Sequence, residues 1–175
     1  MVLGRFGSMV LVASGLLGTS MSTAALARDA ALASSGLPIP RYVSLKSDHV
    51  NVRAGPTKDN DVAWVYTRSG LPVEITAEYE NWRRVRDSEG AEGWVYHSLL
   101  SGRRTAVVTM KSKDDLAALY ESPDSTSAVA ARLQVGVVAQ VKKCTSNWCH
   151  VMGNGFDGWI QQQRLWGVYA DERVD

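Results

Sequence analysis

The sequence carries no surplus of charge of either sign: 19 Lys plus Arg stand against 18 Asp plus Glu, a net charge of +1. A chain that holds nucleic acid through its phosphates needs a basic excess, so that class of partner is excluded. Cysteine and histidine are scarce, two and three in 175 residues. That leaves little for a metal centre, and His49, His97 and His150 lack ligand spacing to one another or to acidic clusters. Phenylalanine is nearly missing, with two copies beside six Trp and six Tyr. No apolar run reaches the ~20 residues that cross a bilayer. The remaining proportions, 45% hydrophobic and 21% charged, are those of a globular chain and exclude collagen-like, disordered and coiled-coil classes.

What is present begins with an address. Arg5 is the only charge before Arg28, residues 9–18 (MVLVASGLLG) form a short apolar stretch, and Ala25-Leu26-Ala27 ends a run of small residues. This is the pattern of a secretory leader over 1–27, with a second A-x-A at Ala31-Leu32-Ala33. Its removal leaves 18 basic and 18 acidic residues and sends the chain to an oxidising compartment, periplasmic or secreted. No stable membrane anchor is expected after cleavage.

An internal repeat follows. Gly70-Leu71-Pro72-Val73-Glu74-Ile75 leads to Asn81-Trp82 and Val85, then to Gly93-Trp94-Val95 and Leu100. Gly136-Val137-Val138-Ala139-Gln140-Val141 leads to Asn147-Trp148 and Val151, then to Gly158-Trp159-Ile160 and Leu165. The first landmarks recur 66 residues apart and the last 65. Leu71, Val73, Ile75 and Ala77 alternate with more polar neighbours, the period-two pattern of a half-buried strand. Trp82 to Arg86 returns as a second strand and Gly93 to Tyr96 as a third, with a short helical turn from His97. Trp94 and Trp159 are expected to fill the two cores. Gly55-Pro56 reads as a sharp reversal that uses glycine's freedom in φ.

Cys144 and Cys149 flank the turn of the second unit and are expected to form a hairpin disulfide. Carrying the first unit's register across sets Cys144 opposite Trp148, so a bulge at the turn is required to bring the sulfurs together. The rival, a nucleophilic Cys149–His150 pair, is opposed by strand alternation, which points neighbours to opposite faces. Residues 153–158 spell G-x-G-x-x-G, but they run into another strand and not a helix, so a hairpin turn is expected in place of a dinucleotide site. Arg83, Arg84, Arg86, Arg103 and Arg104 lie among Glu78, Glu80, Asp87, Glu89 and Glu92, which points to mutual ion pairing. Asp114 and Asp115 read as solvated loop charges.

Val50-Asn51-Val52-Arg53-Ala54-Gly55-Pro56 and Gly93-Trp94-Val95-Tyr96 resemble the opening and closing segments of bacterial SH3 (SH3b) domains. The second unit keeps the closing half but has lost the Asn, Arg and Gly of the opening. The resemblance implies an all-β chain of two tandem SH3-like barrels, each of five to six strands, with no catalysis, cofactor or metal of their own. The expected boundaries are a leader at 1–27, a linker at 28–41, barrel 1 at 42–107, a degenerate barrel 2 at 108–170 and a tail at 171–175.

These features together suggest an exported, non-enzymatic module that binds a cell-wall peptide, peptidoglycan or a protein partner along an aromatic groove. Asn51, Arg53, Trp64, Tyr66, Trp82 and Tyr96 are the expected ligand face: a donor and acceptor, a guanidinium fork for a carboxylate, and rings that exclude water. Trp82→Ala is expected to weaken capture while leaving the fold intact. With Ala117, Leu119, Val129 and Gln161 at the matching places, the second unit is expected to act as support. Trp166 and Tyr169 are assigned to the contact between units. Two rival readings are an assembly protein that uses the aromatic surface for protein contact and a cell-wall hydrolase.

Overall fold

The computed structural model describes residues 35–110 and 115–175. The leader at 1–27, the first half of the linker and Asp114 lie outside the described residues. The first unit contributes β1 (Arg41–Leu45), β2 (Val50–Arg53), β3 (Val62–Tyr66), β4 (Pro72–Tyr79), β5 (Trp82–Arg86), β6 (Glu92–Tyr96) and β7 (Leu100–Ser101). The second contributes β8 (Thr105–Val108), β9 (Leu116–Tyr120), β10 (Val129–Gln134), β11 (Val138–Thr145), β12 (Trp148–Gly153), β13 (Phe156–Gln161) and β14 (Leu165–Trp166). The sheet orders are β3-β2-β6-β5-β4-β1-β7 and β10-β9-β13-β12-β11-β8-β14, the same order twice. Each sheet thus holds seven strands and not five or six. The short closing strands β7 and β14 and the edge strands β3 and β10 complete them.

In each sheet most of the strands feed one apolar cluster, so the sheet must wrap around it. In the first unit Leu45, Val50, Val52, Val73, Ile75, Val85 and Val95 are almost fully buried, with Trp64, Tyr66 and Leu100 packed against them. The second core is built from Val108, Leu119, Val141, Val151, Ile160 and the two cysteines, among others. Bulges between Ile75 and Ala77 and between Val141 and Lys143 bend the long strands β4 and β11 at matching places.

Trp94 and Trp159 do not fill these cores. They are half-buried on the outer face, and Val95 and Ile160 point inward in their stead. The reason is space. At Gly93, which pairs with Val85, a Cβ would lie 3.1 Å from Trp64 and would collide with Val52. An interior that cannot admit a methyl there has no room for an indole. Gly55 also has a reason other than the expected one: it is not at positive φ, and the Asn60 amide occupies the place of its Cβ, 2.5 Å away.

The cysteines pair directly. Both hairpins turn through two residues, Tyr79 opposite Trp82 and Thr145 opposite Trp148, which sets Cys144 opposite Cys149. No bulge at the turn is needed, and the sulfurs are bonded with Cα atoms 4.1 Å apart. The corresponding rung of the first unit holds Glu78 opposite Arg83, an ion pair at 3.1 Å whose carboxylate is 1% exposed. One repeat therefore closes this rung with a covalent bond and the other with charge. The G-x-G-x-x-G run is a hairpin, with Gly153 opposite Phe156.

The ion pairing expected of the arginine cluster forms in part: Arg83, Arg84, Arg86 and Arg104 take carboxylate partners, of which only Glu78 and Glu92 belong to the expected set. Arg84 meets Glu92 at 2.7 Å, Arg86 meets Glu74 at 2.5 Å, and Arg104 meets Glu172 at 2.7 Å. His150 and Asp157, at the places of Arg84 and Glu92, repeat the first of these at 2.5 Å.

The two units meet through aromatic rings. Tyr42 packs edge-on to Trp166 at 5.0 Å and against Tyr169 at 4.6 Å. Tyr169 Oη donates to Glu74 Oε1 (2.9 Å), and Glu74 also accepts from Arg86, so one buried carboxylate joins both units. Burial, followed by the charge of Glu74, pushes the Tyr42 hydroxyl from its ordinary 10.0 up to about 12. Burial and the hydrogen bond to Glu74 raise Tyr169 as well. A tyrosine whose folded pKa is raised stabilises the fold below the unfolded value and loses that contribution as pH rises through the folded one. The thermal midpoint should therefore hold steady to about pH 9 and fall between about pH 10 and 12. Tyr42→Phe keeps the ring contacts and should flatten that fall. An unchanged alkaline profile in the variant would remove Tyr42 from the account.

Candidate functional site

Strand alternation places Asn51 and Arg53 on the outer face of β2, Trp82 and Arg84 on that of β5, and Trp94 and Tyr96 on that of β6. Across the sheet Trp82 pairs with Tyr96, and Arg53 with Trp94. Cross-strand partners share a face, so these residues converge. Asn51, Arg53, Trp82 and Tyr96 line one pocket of about 170 Å³ together with Lys58 and Leu99. The Tyr96 ring stands edge-on to Trp82 at 5.4 Å. Arg53 donates one hydrogen bond to the Asn60 carbonyl (2.6 Å), which steadies the guanidinium and leaves its other N–H groups for a ligand.

Four of the six expected ligand residues are thus brought together and two are not. Trp64 lies opposite Val52, and Tyr66 opposite Val50. Both valines are fully buried, so these rings face the core and not the pocket. They pack edge-on to each other at 6.1 Å, and Tyr66 Oη donates to Asp87 Oδ2 (3.0 Å). Burial and Asp87 raise the Tyr66 pKa, as expected of a hydroxyl committed to the fold. Trp82 also departs from expectation. It lies on the outer face, yet only 8% of it is exposed. It shows the pocket only an edge of the ring, and its main task is packing. Lys58, which completes the pocket, was missed because it lies in the loop after β2, where no alternation marks it.

The second unit differs from its expected alignment by one residue. Trp159 pairs with Tyr120 as Trp94 pairs with Arg53, so Tyr120 stands where Arg53 does and Ala118 where Asn51 does. Ala117 and Leu119 are core residues that match Val50 and Val52. Ala131 and not Val129 matches Trp64, because each lies opposite the equivalent buried residue. Tyr120 packs edge-on to Trp148 at 5.5 Å, so an aromatic pair survives in this unit with a different partner. Gln161 holds the place of Tyr96.

Repeated seven-stranded sheets, a short turn before the closing strand and a groove on one face define a tandem small-barrel protein. The chain belongs to the bacterial SH3 domain family, which matches residues 46–102 and again 113–167. No curated protein matches it. Among solved structures it is similar to NlpC2 from Trichomonas vaginalis, 14% identical with a TM-score of 0.33, covering 73% of this chain and 48% of that one. NlpC1 from the same organism is 16% identical with a TM-score of 0.32, covering 76% and 48%. The chain spans about half the length of these proteins.

Among the described residues, no helix is long and apolar enough to cross a membrane. The Cys144–Cys149 bond is of the kind that persists in an oxidising compartment.

Proposed function

We propose that this protein is an exported binding module without catalysis of its own, and that its first unit captures the carboxylate end of a cell-wall peptide. The observation that carries the reading is the convergence of Asn51, Arg53 and Lys58 with Trp82 and Tyr96 on one pocket. Two cations set beside aromatic edges suit a carboxylate attached to an apolar side chain. At about 170 Å³ the pocket is well below the ~300–1,000 Å³ of whole small-molecule sites, so it takes a terminus and not an entire ligand. The two cysteines are joined to each other and His150 is engaged by Asp157, which supports binding over Cys–His chemistry.

Titration with a peptidoglycan stem peptide bearing a free terminal carboxylate tests the reading. Binding should weaken as salt is added, and Arg53→Gln should reduce it about tenfold, roughly 1.4 kcal/mol. Equal affinity for the same peptide with an amidated end would overturn the carboxylate assignment. Retention of binding by Arg53→Gln at full strength would remove the pocket from the function.

A further inference from the structure

The second unit carries a larger pocket, with different chemistry, that overlaps the place of the first only at Ser125, Trp148 and Gln161. It measures about 530 Å³ against about 170 Å³ in the first unit. Trp148 replaces Trp82 and Gln161 replaces Tyr96, while Asn147, Gln162, Gln163, Ser125 and Asp171 complete the polar lining. Both cations of the first pocket are gone. The register puts Tyr120, which lies outside this lining, at the place of Arg53, and Ser125 lies in the loop that matches the one supplying Lys58 to the first.

The extra wall is the chain's own C-terminal segment, which contributes Val168, Ala170 and Asp171. That segment is built in. Gln162, itself buried, accepts from the Asp171 amide (3.1 Å) and donates to the Glu172 carbonyl (3.1 Å). Val174 pairs with Cys144 through two backbone hydrogen bonds (2.8 and 3.3 Å). Arg104 clasps Glu172. Burial works to raise the Glu172 pKa, but the Arg104 hydrogen bond and the Tyr169 amide outweigh it and hold the carboxyl low. A fixed wall, and not a loose tail, gives this pocket its depth.

We infer that this is a second binding site, separate from the first, and that it takes a neutral saccharide. The lining holds no Lys or Arg, and its one charge is the Asp171 carboxylate, so carboxylate and phosphate ligands are disfavoured. Asn and Gln amides and a serine hydroxyl both donate and accept, as sugar hydroxyls and acetamido groups do. Gln163 Nε2 donates to Gln161 Oε1 (3.1 Å), so the pair presents an amide NH2 and a carbonyl side by side. The half-buried Trp148 offers an apolar surface for the C–H face of a pyranose. The volume lies within the ~300–1,000 Å³ of small-ligand sites.

The probe is tri-N-acetylchitotriose, added to the isotope-labelled intact chain and followed by nitrogen–proton NMR. The Trp148 indole and the Asn147 and Gln161 side-chain amides should shift and saturate in the millimolar range, with the Trp82 indole unmoved. Trp148→Ala should weaken binding at least about tenfold. Gln161→Leu, which alters a partly exposed position and spares the core, should weaken it about fivefold and keep the backbone spectrum intact. No shift at about 10 mM sugar, near the weakest affinity worth the name, would overturn the site. Shifts centred on Trp82 would do the same. So would a triglycine amide that moves these signals when the sugar does not. The Trp82 indole reports the carboxylate pocket and the Trp148 indole this one, so each site stands or falls alone.

Discussion

Trp82→Ala unfolds the first unit instead of merely emptying its pocket. The indole is 8% exposed, is held edge-on by Tyr96 and lies on the central hairpin of the sheet. Removing a buried Trp costs about 3–5 kcal/mol, because the cavity left behind closes only in part. A unit of roughly 60 residues has little more than that in reserve. The thermal midpoint of the first unit should fall by at least about 12 °C, and Trp82→Phe should recover most of the loss. A fall of less than about 4 °C would show that the ring contributes little to the fold and would restore it to a role in ligand contact. Loss of binding in the alanine variant therefore says nothing of the pocket, which is why Arg53→Gln is the better probe.

Losing the disulfide destabilises the second unit and frees its C-terminal wall. Both cysteines are fully buried, and Cys144 also anchors Val174 through its backbone. The loop they close is short, so the chain-entropy contribution is about 2 kcal/mol. Cys144→Ala with Cys149→Ala should lower the midpoint of this unit by roughly 8–16 °C. Hydrogen exchange at Val174 should accelerate in the same variant, since its amide donates to the Cys144 carbonyl. The first unit, whose matching rung is the Glu78–Arg83 pair, should keep its midpoint when the protein is reduced. Equal losses in both units on reduction would contradict the assignment of the bond to the second unit's stability alone.

Charge pairing illustrates what short-range reading reaches. The arginines of β5 are near acids in sequence, and Arg84 does pair with Glu92, across the adjacent strand. Arg86 and Arg104 chose Glu74 and Glu172, the second 68 residues away, because those acids are presented to them across the sheet and by the folded tail. Residues 171–175, expected as a tail, are tied to the second unit through Glu172 and Val174.

The strands, their hairpins, the tandem repeat and the cysteine pairing were legible in the chain alone. These depend on local alternation, on turn residues and on landmarks that recur at nearly constant spacing, all properties of short segments. Which face of a strand is buried was decided only by the tertiary structure. Alternation separates Trp94 from Val95 but does not say which one points inward, and the answer followed from the space left at Gly93 by Val52 and Trp64. Trp82 obeys its alternation and is buried regardless, with Tyr96 from the neighbouring strand packed against it. In the second unit a slip of one residue in alignment exchanged Ala117 and Leu119 for Ala118 and Tyr120. With a period of two, such a slip moves every side chain to the other face. Pairing register is fixed by contacts between distant strands, and those exist only once the sheet has closed around its core.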